Sequence, residues 1–174
     1  MTRQYIIILL ATVCLFSHKN LLAQGEHSDI NHNATGDAIE GRVAEGIKQL
    51  ESNDLGAALE TFKSILDRDP ENPEANYRAG IIYMRQKQFK NGVAHLKRAV
   101  QFAPDILAYH NSLANAYEIS RQNDLAIEEY KKVTEMAPPG SDDGKEALKK
   151  IDFLEATQYA HNVRWKISIE ESLL

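Results

Sequence analysis

Catalysis needs a nucleophile, a positioned base or a metal-ligand cluster, and this sequence supplies few of them. The single cysteine, Cys14, lies inside an apolar run, so it builds neither a disulfide framework nor a cysteine-based zinc module. No Gly-rich phosphate loop, G-x-S-x-G or H-E-x-x-H spacing occurs. His95, His110 and His161 are far apart in sequence, and none has an evident orienting partner for proton transfer. His27 and His32, with Glu26 and Asp29, carry ligand chemistry but sit on no periodic element that would fix its geometry. Pairs such as Glu128-Glu129 fall on a solvated helix face. The reading is a chain that is not an enzyme and carries neither cofactor nor metal.

Other residues have binding chemistry. Asn111 and Asn115 are four apart, which puts both amides on one face of a helix, where they can bond to the backbone of an extended peptide. Arg78, Arg85, Lys145 and Lys149 can receive carboxylates, the arginines in bidentate fashion. The formal charge of -5, from 20 basic and 25 acidic residues, argues against holding nucleic acid by phosphate neutralisation.

Such groups must be held by rigid elements, and the chain has two unlike parts. None of its 25 acidic residues lies in the first 25 positions. Arg3 opens a positive start, Tyr5 to Phe16 is an uncharged, mostly apolar run, and small Ala23 follows a polar stretch. Residues 1–23 have the layout of a secretory signal peptide cut after Ala23; the alternative is an uncleaved amino-terminal membrane anchor. A spanning helix needs about 20 apolar residues, which favours the first reading. Cleavage would remove Arg3, Lys19 and Cys14, taking the net charge from -5 to -7. A cysteine-free mature chain suits an oxidising compartment. The expected location is the periplasm, with secretion or membrane anchoring as alternatives. Residues 24–37 are polar and aperiodic and read as a flexible linker.

The second part repeats every 34 residues. Pro70, Pro104 and Pro138 keep that spacing. So do Phe62, Leu96 and Tyr130; Ala58, Gly92 and Ala126; and Leu59, Val93 and Ile127. Gly46, Gly80 and Ala114, and further on Ile65, Ala99 and Val133, stay in register. Small residues on facing helices permit close approach, the bulky column fills space toward the next unit, and each proline ends a helix. This period and pattern resemble the tetratricopeptide repeat, as three units at 39–72, 73–106 and 107–140. The resemblance implies an all-α superhelical solenoid spanning residues 38–140. Six helices are expected, at 38–52, 54–68, 73–87, 89–102, 105–120 and 124–136. Asp37 with Glu40, Asn72 before Pro73, and Asp105 are their candidate amino-terminal caps; Asn53-Asp54 and Asn123-Asp124 mark turns.

Residues 141–164 read as an amphipathic capping helix with the apolar stripe Ala147, Leu148, Ile151, Leu154 and Tyr159; Phe153 falls off it. In the tail, 165–174, Trp165, Ile167 and Ile169 alternate with polar residues in a strand-like pattern. That tail is expected to fold back on the last helix, with a docking segment or sheet-adding edge, or simple disorder, as the alternatives.

The resemblance also implies a protein-interaction role, with a concave groove lined by the first helix of each unit. By register its residues are Val43, Ile47 and Leu50; Tyr77, Arg78, Ile81, Met84 and Arg85; Asn111, Asn115 and Glu118; and Lys145 and Lys149 from the capping helix. The family subtype that clamps chaperone tails needs Lys and Asn where this chain has Val43 and Ile47, and Lys and Arg where it has Ala108 and Ser112. The implied function is a non-enzymatic adaptor for a peptide or partner domain. The alternative is a structural or assembly component of a homo-oligomer or envelope machinery for pilus, outer-membrane or cytochrome assembly.

Overall fold

The structure, a computed structural model, describes residues 29–172, and their side chains over 36–166. The expected signal segment lies outside the described residues. Seven helices are found among those described, and no strand: α1 (Asp29–Glu51), α2 (Leu55–Leu66), α3 (Pro73–Arg85), α4 (Phe89–Phe102), α5 (Leu107–Ile119), α6 (Asn123–Met136) and α7 (Asp142–Ser172). The chain divides into two compact units, Met1–Ala44 and Glu45–Leu174, and α1 runs from one into the other. The described part of the first unit is the polar amino-terminal stretch of α1. In the second unit each helix from α2 to α7 packs on the next, and α3 also meets α5. This is the all-α repeat solenoid that the 34-residue period implies.

The turns inside the units share one geometry. Asn53, Lys87 and Arg121 take the left-handed backbone conformation, with φ of 59°, 60° and 58°. After each, an amide reaches back five residues: Asp54 N to Gln49 O at 2.9 Å, Gln88 N to Tyr83 O at 2.8 Å, and Gln122 N to Tyr117 O at 2.9 Å. This closes the carboxyl ends of the first helices and reverses the chain. In the third unit the reversal is at Arg121, so Asn123 opens α6 instead of sitting in the turn.

One foreseen cap forms, and a residue read only as a turn marker supplies another. Asn72 Oδ1 accepts from Ala75 N at 2.9 Å, with Pro73 as the first helical residue. Asp54 Oδ1 accepts from Ala57 N at 3.0 Å. Asp105 does not cap: it lies in the turn before α5, whose cap position is Ile106 and carries no side-chain bond. Asp37 and Glu40 do not form a starting box either, because α1 is helical from Asp29 and takes in much of the expected linker. No proline occurs before Pro70, and Gly36 and Gly41 weaken a helix by only about 1 kcal/mol each.

The repeat columns form the core. Ala58, Phe62, Ile65, Leu96, Ala99, Ala126, Tyr130 and Val133 are all buried. A Cβ on Gly46 would lie 2.6 Å from Phe62 Cζ, and one on Gly80 would lie 2.7 Å from Leu96 Cγ. Phe62 and Leu96 thus close onto the small residue of their own unit, and Leu96 also joins the core cluster of the next unit with Leu113, Ala114 and Tyr117.

At the carboxyl end the helix outruns the expected cap. α7 extends to Ser172, so the strand-like tail is helical, and Trp165 is 64% exposed instead of folded back. Neither Gly nor Pro follows Gly144, and extending an existing helix avoids the nucleation cost. Ala147, Ile151 and Leu154 are buried against the core, whereas Leu148 and Tyr159 of the predicted stripe are exposed. At about 100° per residue the three buried positions share one face, from which Leu148 and Tyr159 are turned away.

Candidate functional site

The first helices α3 and α5 flank a cleft of about 320 Å³, lined by Ile81, Met84 and Arg85 from α3 and by Ser112, Asn115, Ala116 and Ile119 from α5. Gly92 on α4 helps to set its wall. A Cβ there would come within 2.6 Å of Met84 Sδ, so only the bare backbone leaves room for that side chain. The cleft is predominantly aliphatic, with the exposed Arg85 on it. Ile119, 57% exposed, occupies the repeat position of Arg85 and was reachable by register. Ser112 and Ala116 have no such chemical signal in the sequence.

The structure brings Ile81, Met84, Arg85 and Asn115 of the predicted groove residues to this cleft. Several others are committed inside the protein. Tyr77 stacks on Tyr109 with ring centroids 4.6 Å apart, and Ser112 Oγ donates to Tyr77 Oη at 3.4 Å. Tyr109 Oη donates to Glu74 at 2.7 Å, and the same carboxylate accepts from Arg78 Nε at 2.7 Å. Burial first, then that bond to Glu74, holds the Tyr109 phenol well above its ordinary range, so it remains a donor. Arg78, lying 5.4 Å over the Tyr77 ring, is thus engaged within α3 and steadies the carboxylate that Tyr109 of α5 bonds.

The asparagine pair is likewise engaged. Asn115 Nδ2 donates to Asn111 O at 3.0 Å, and its Oδ1 accepts from Tyr130 Oη at 2.8 Å. Asn115 is thus tied to its own helix and, through Tyr130, to α6. Glu118 accepts from Tyr130 Oη at 2.9 Å and from Lys150 Nζ at 3.0 Å, tying α5, α6 and α7 together. Burial and then Glu118 raise the Tyr130 phenol in the same way. Lys145 and Lys149 are exposed on α7 and do not line the cleft.

One polar arrangement was not foreseen. Asn76 Nδ2 donates to the carbonyl oxygens of Pro70 at 3.0 Å and Asn72 at 2.9 Å. Its Oδ1 then faces His95 Nδ1 at 3.1 Å, which makes that nitrogen the donor. One repeat later, His110 Nε2 meets the Pro104 carbonyl at 2.8 Å, and its Nδ1 meets Glu129 at 2.6 Å. The proline carbonyl, the first-helix residue and the second-helix residue are each displaced by 34 positions. One buried slot is thus filled by Asn–His in one unit and by His–Glu in the next. His95 and His110 are structural fasteners, and the described residues bring together no group of three potential metal ligands.

Known proteins agree with this architecture. Residues 49–116 and 107–139 each match a tetratricopeptide repeat profile. No curated protein matches in sequence. Among solved structures, an O-GlcNAc transferase from Thermobaculum terrenum superposes with TM-score 0.57 at 23% identity, over 60% of this chain but only 20% of its own. The first repeat domain of RPAP3, solved with an HSP90 peptide, gives TM-score 0.62 at 20% identity, over 68% of this chain and 93% of its own. The repeat domain of P58(IPK) gives 0.65 at 23%, over 72% and 34%. Such domains are generally non-catalytic protein-interaction modules. By the two profile matches, the 34-residue register and the stacked helix pairs, residues 49–139 belong to the tetratricopeptide repeat family.

Proposed function

We propose that the chain is an exported adaptor that holds a peptide segment of a partner protein against its first helices. The cleft between α3 and α5 carries the reading. Ile81, Met84, Ala116 and Ile119 offer an aliphatic seat, and Arg85 stands exposed on it. An apolar side chain followed by a carboxylate is the matching ligand, with the guanidinium donating two N–H bonds to it. Binding would cost this protein little order, because the seat is built on helices already fixed by packing. The RPAP3 relative was solved with an HSP90 peptide, but Val43, Ile47, Ala108 and Ser112 stand where a chaperone-tail clamp needs cations and an amide, so a different peptide class is proposed. The layout of residues 1–23 supports export to the periplasm.

Affinity capture from a bacterial envelope extract tests this. Partners held by the wild-type chain should be lost on Ala116→Trp, which fills the cleft, and on Arg85→Glu, which reverses its charge. A partner retained by both variants at wild-type yield would overturn the reading.

A further inference from the structure

α7 offers a second interaction surface, unrelated to the cleft. It has 31 residues against 13 in each of α3 and α5. By register it is the first helix of a fourth unit: Leu148 stands where Gly80 and Ala114 stand in the units before it. In the second unit that position seats the second helix, with Gly80 against Leu96. Within the described residues α7 has no such mate, and Leu148 is 53% exposed. At about 100° per residue, Leu148, Asp152, Ala156, Tyr159, Val163 and Lys166 share an arc of about 80°. Tyr159 is 74% and Val163 40% exposed, and Asp152 and Lys166 are exposed at either end. The face is therefore shaped for an antiparallel helix.

Its charges select the occupant. Asp152 and Lys166 lie seven residues before and after Tyr159. Two copies of α7 laid antiparallel about a two-fold axis through Tyr159 put Asp152 of each beside Lys166 of the other. The two tyrosine rings meet on the axis, and Val163 packs on the opposite Ala156 and Tyr159. A parallel pair would instead set Asp152 against Asp152 and Lys166 against Lys166. The pattern is thus self-complementary in one orientation only, as an isologous contact requires. We infer that the chain forms a two-fold dimer through antiparallel pairing of α7 over residues 148–166.

The test uses the full-length chain and charge exchange. Sedimentation equilibrium should give twice the 19.6 kDa chain mass for the wild type. Asp152→Lys alone and Lys166→Asp alone should each weaken dimerisation at least tenfold. Mixing these two variants should restore it, because each mixed pair then regains both opposite-charge contacts. The double variant should recover it in the same way. With Cys14→Ser in the background, Tyr159→Cys should crosslink to itself on mild oxidation and Phe153→Cys, which points away from the face, should not. Unchanged helical circular dichroism keeps folding out of the comparison. A monomer at all concentrations would overturn the inference. So would self-association that neither single charge change weakens, or a Phe153→Cys crosslink as fast as that of Tyr159→Cys.

Discussion

The buried slot between units shows how single residues hold this protein. His110 is 4% exposed, and its two ring nitrogens bond Glu129 and the Pro104 carbonyl. His110→Ala would leave both acceptors without that partner, and Lys132 alone would remain on Glu129. The expected loss is about 2–4 kcal/mol, measured by urea unfolding. His95 in the preceding slot adds a pH dependence. Burial first, and then the Arg98 cation, lowers its affinity for a proton below the ordinary value of 6.5. The unfolded chain therefore binds that proton at a pH where the folded chain does not, and stability rises with pH through this window. As pH falls below 6.5, the folded state should lose stability until His95 itself protonates, and His95→Gln should flatten that part of the profile. Neither slot was legible in the sequence. Asn76 and His110 differ in type, as do His95 and Glu129, so a column of unlike polar residues conceals one geometry.

At the level of the element, close approach of α3 and α4 rests on glycine. A Cβ at position 80 would meet Leu96 Cγ at 2.7 Å and the Leu96 backbone nitrogen at 3.1 Å, and backbone cannot move aside cheaply. Gly80→Ala should cost about 2 kcal/mol, lowering Tm by about 4–8 °C for a chain of this size. Gly56→Ala is the contrasting case: the nearest atom to its Cβ is Asp54 Oδ1 at 3.6 Å, and α2 should gain about 0.5–1 kcal/mol of helix propensity. The helix pairs were readable because small, bulky and proline columns recur at one spacing. The helix ends were read less well. The left-handed turn falls on Asn53, Lys87 and Arg121, and only the first is a residue that favours such a conformation. The alternation of Trp165, Ile167 and Ile169 suggested a strand, but with no breaker after Gly144 the backbone continues as helix. The cleft was half visible: register found Ile81, Met84, Arg85 and Asn115, and Glu74 stands four residues before Arg78, whereas the bonds occupying Asn115 and Glu118 depend on Tyr130 and Lys150, neighbours brought in by the fold.

At the scale of the whole molecule, each helix from α2 to α7 packs mainly on the next, so stability accumulates along the array instead of residing in one central core. The junction slot gives this modularity a specific form. Asn76 uses the carbonyl of the preceding unit's Pro70 and a mate, His95, from its own unit; His110 does the same with Pro104 and Glu129. A second copy of residues 73–106 inserted directly after position 106 would meet a proline carbonyl on its leading side and provide one on its trailing side. Every slot would be filled. The lengthened chain should fold and melt at or above the temperature of the original, as followed by circular dichroism. Aggregation or a lower melting temperature would show that the slots are tied to their places. Array length is then a matter of copy number: new binding surface can arise by duplicating one stretch of coding sequence, with the polar slot at each joint already supplied.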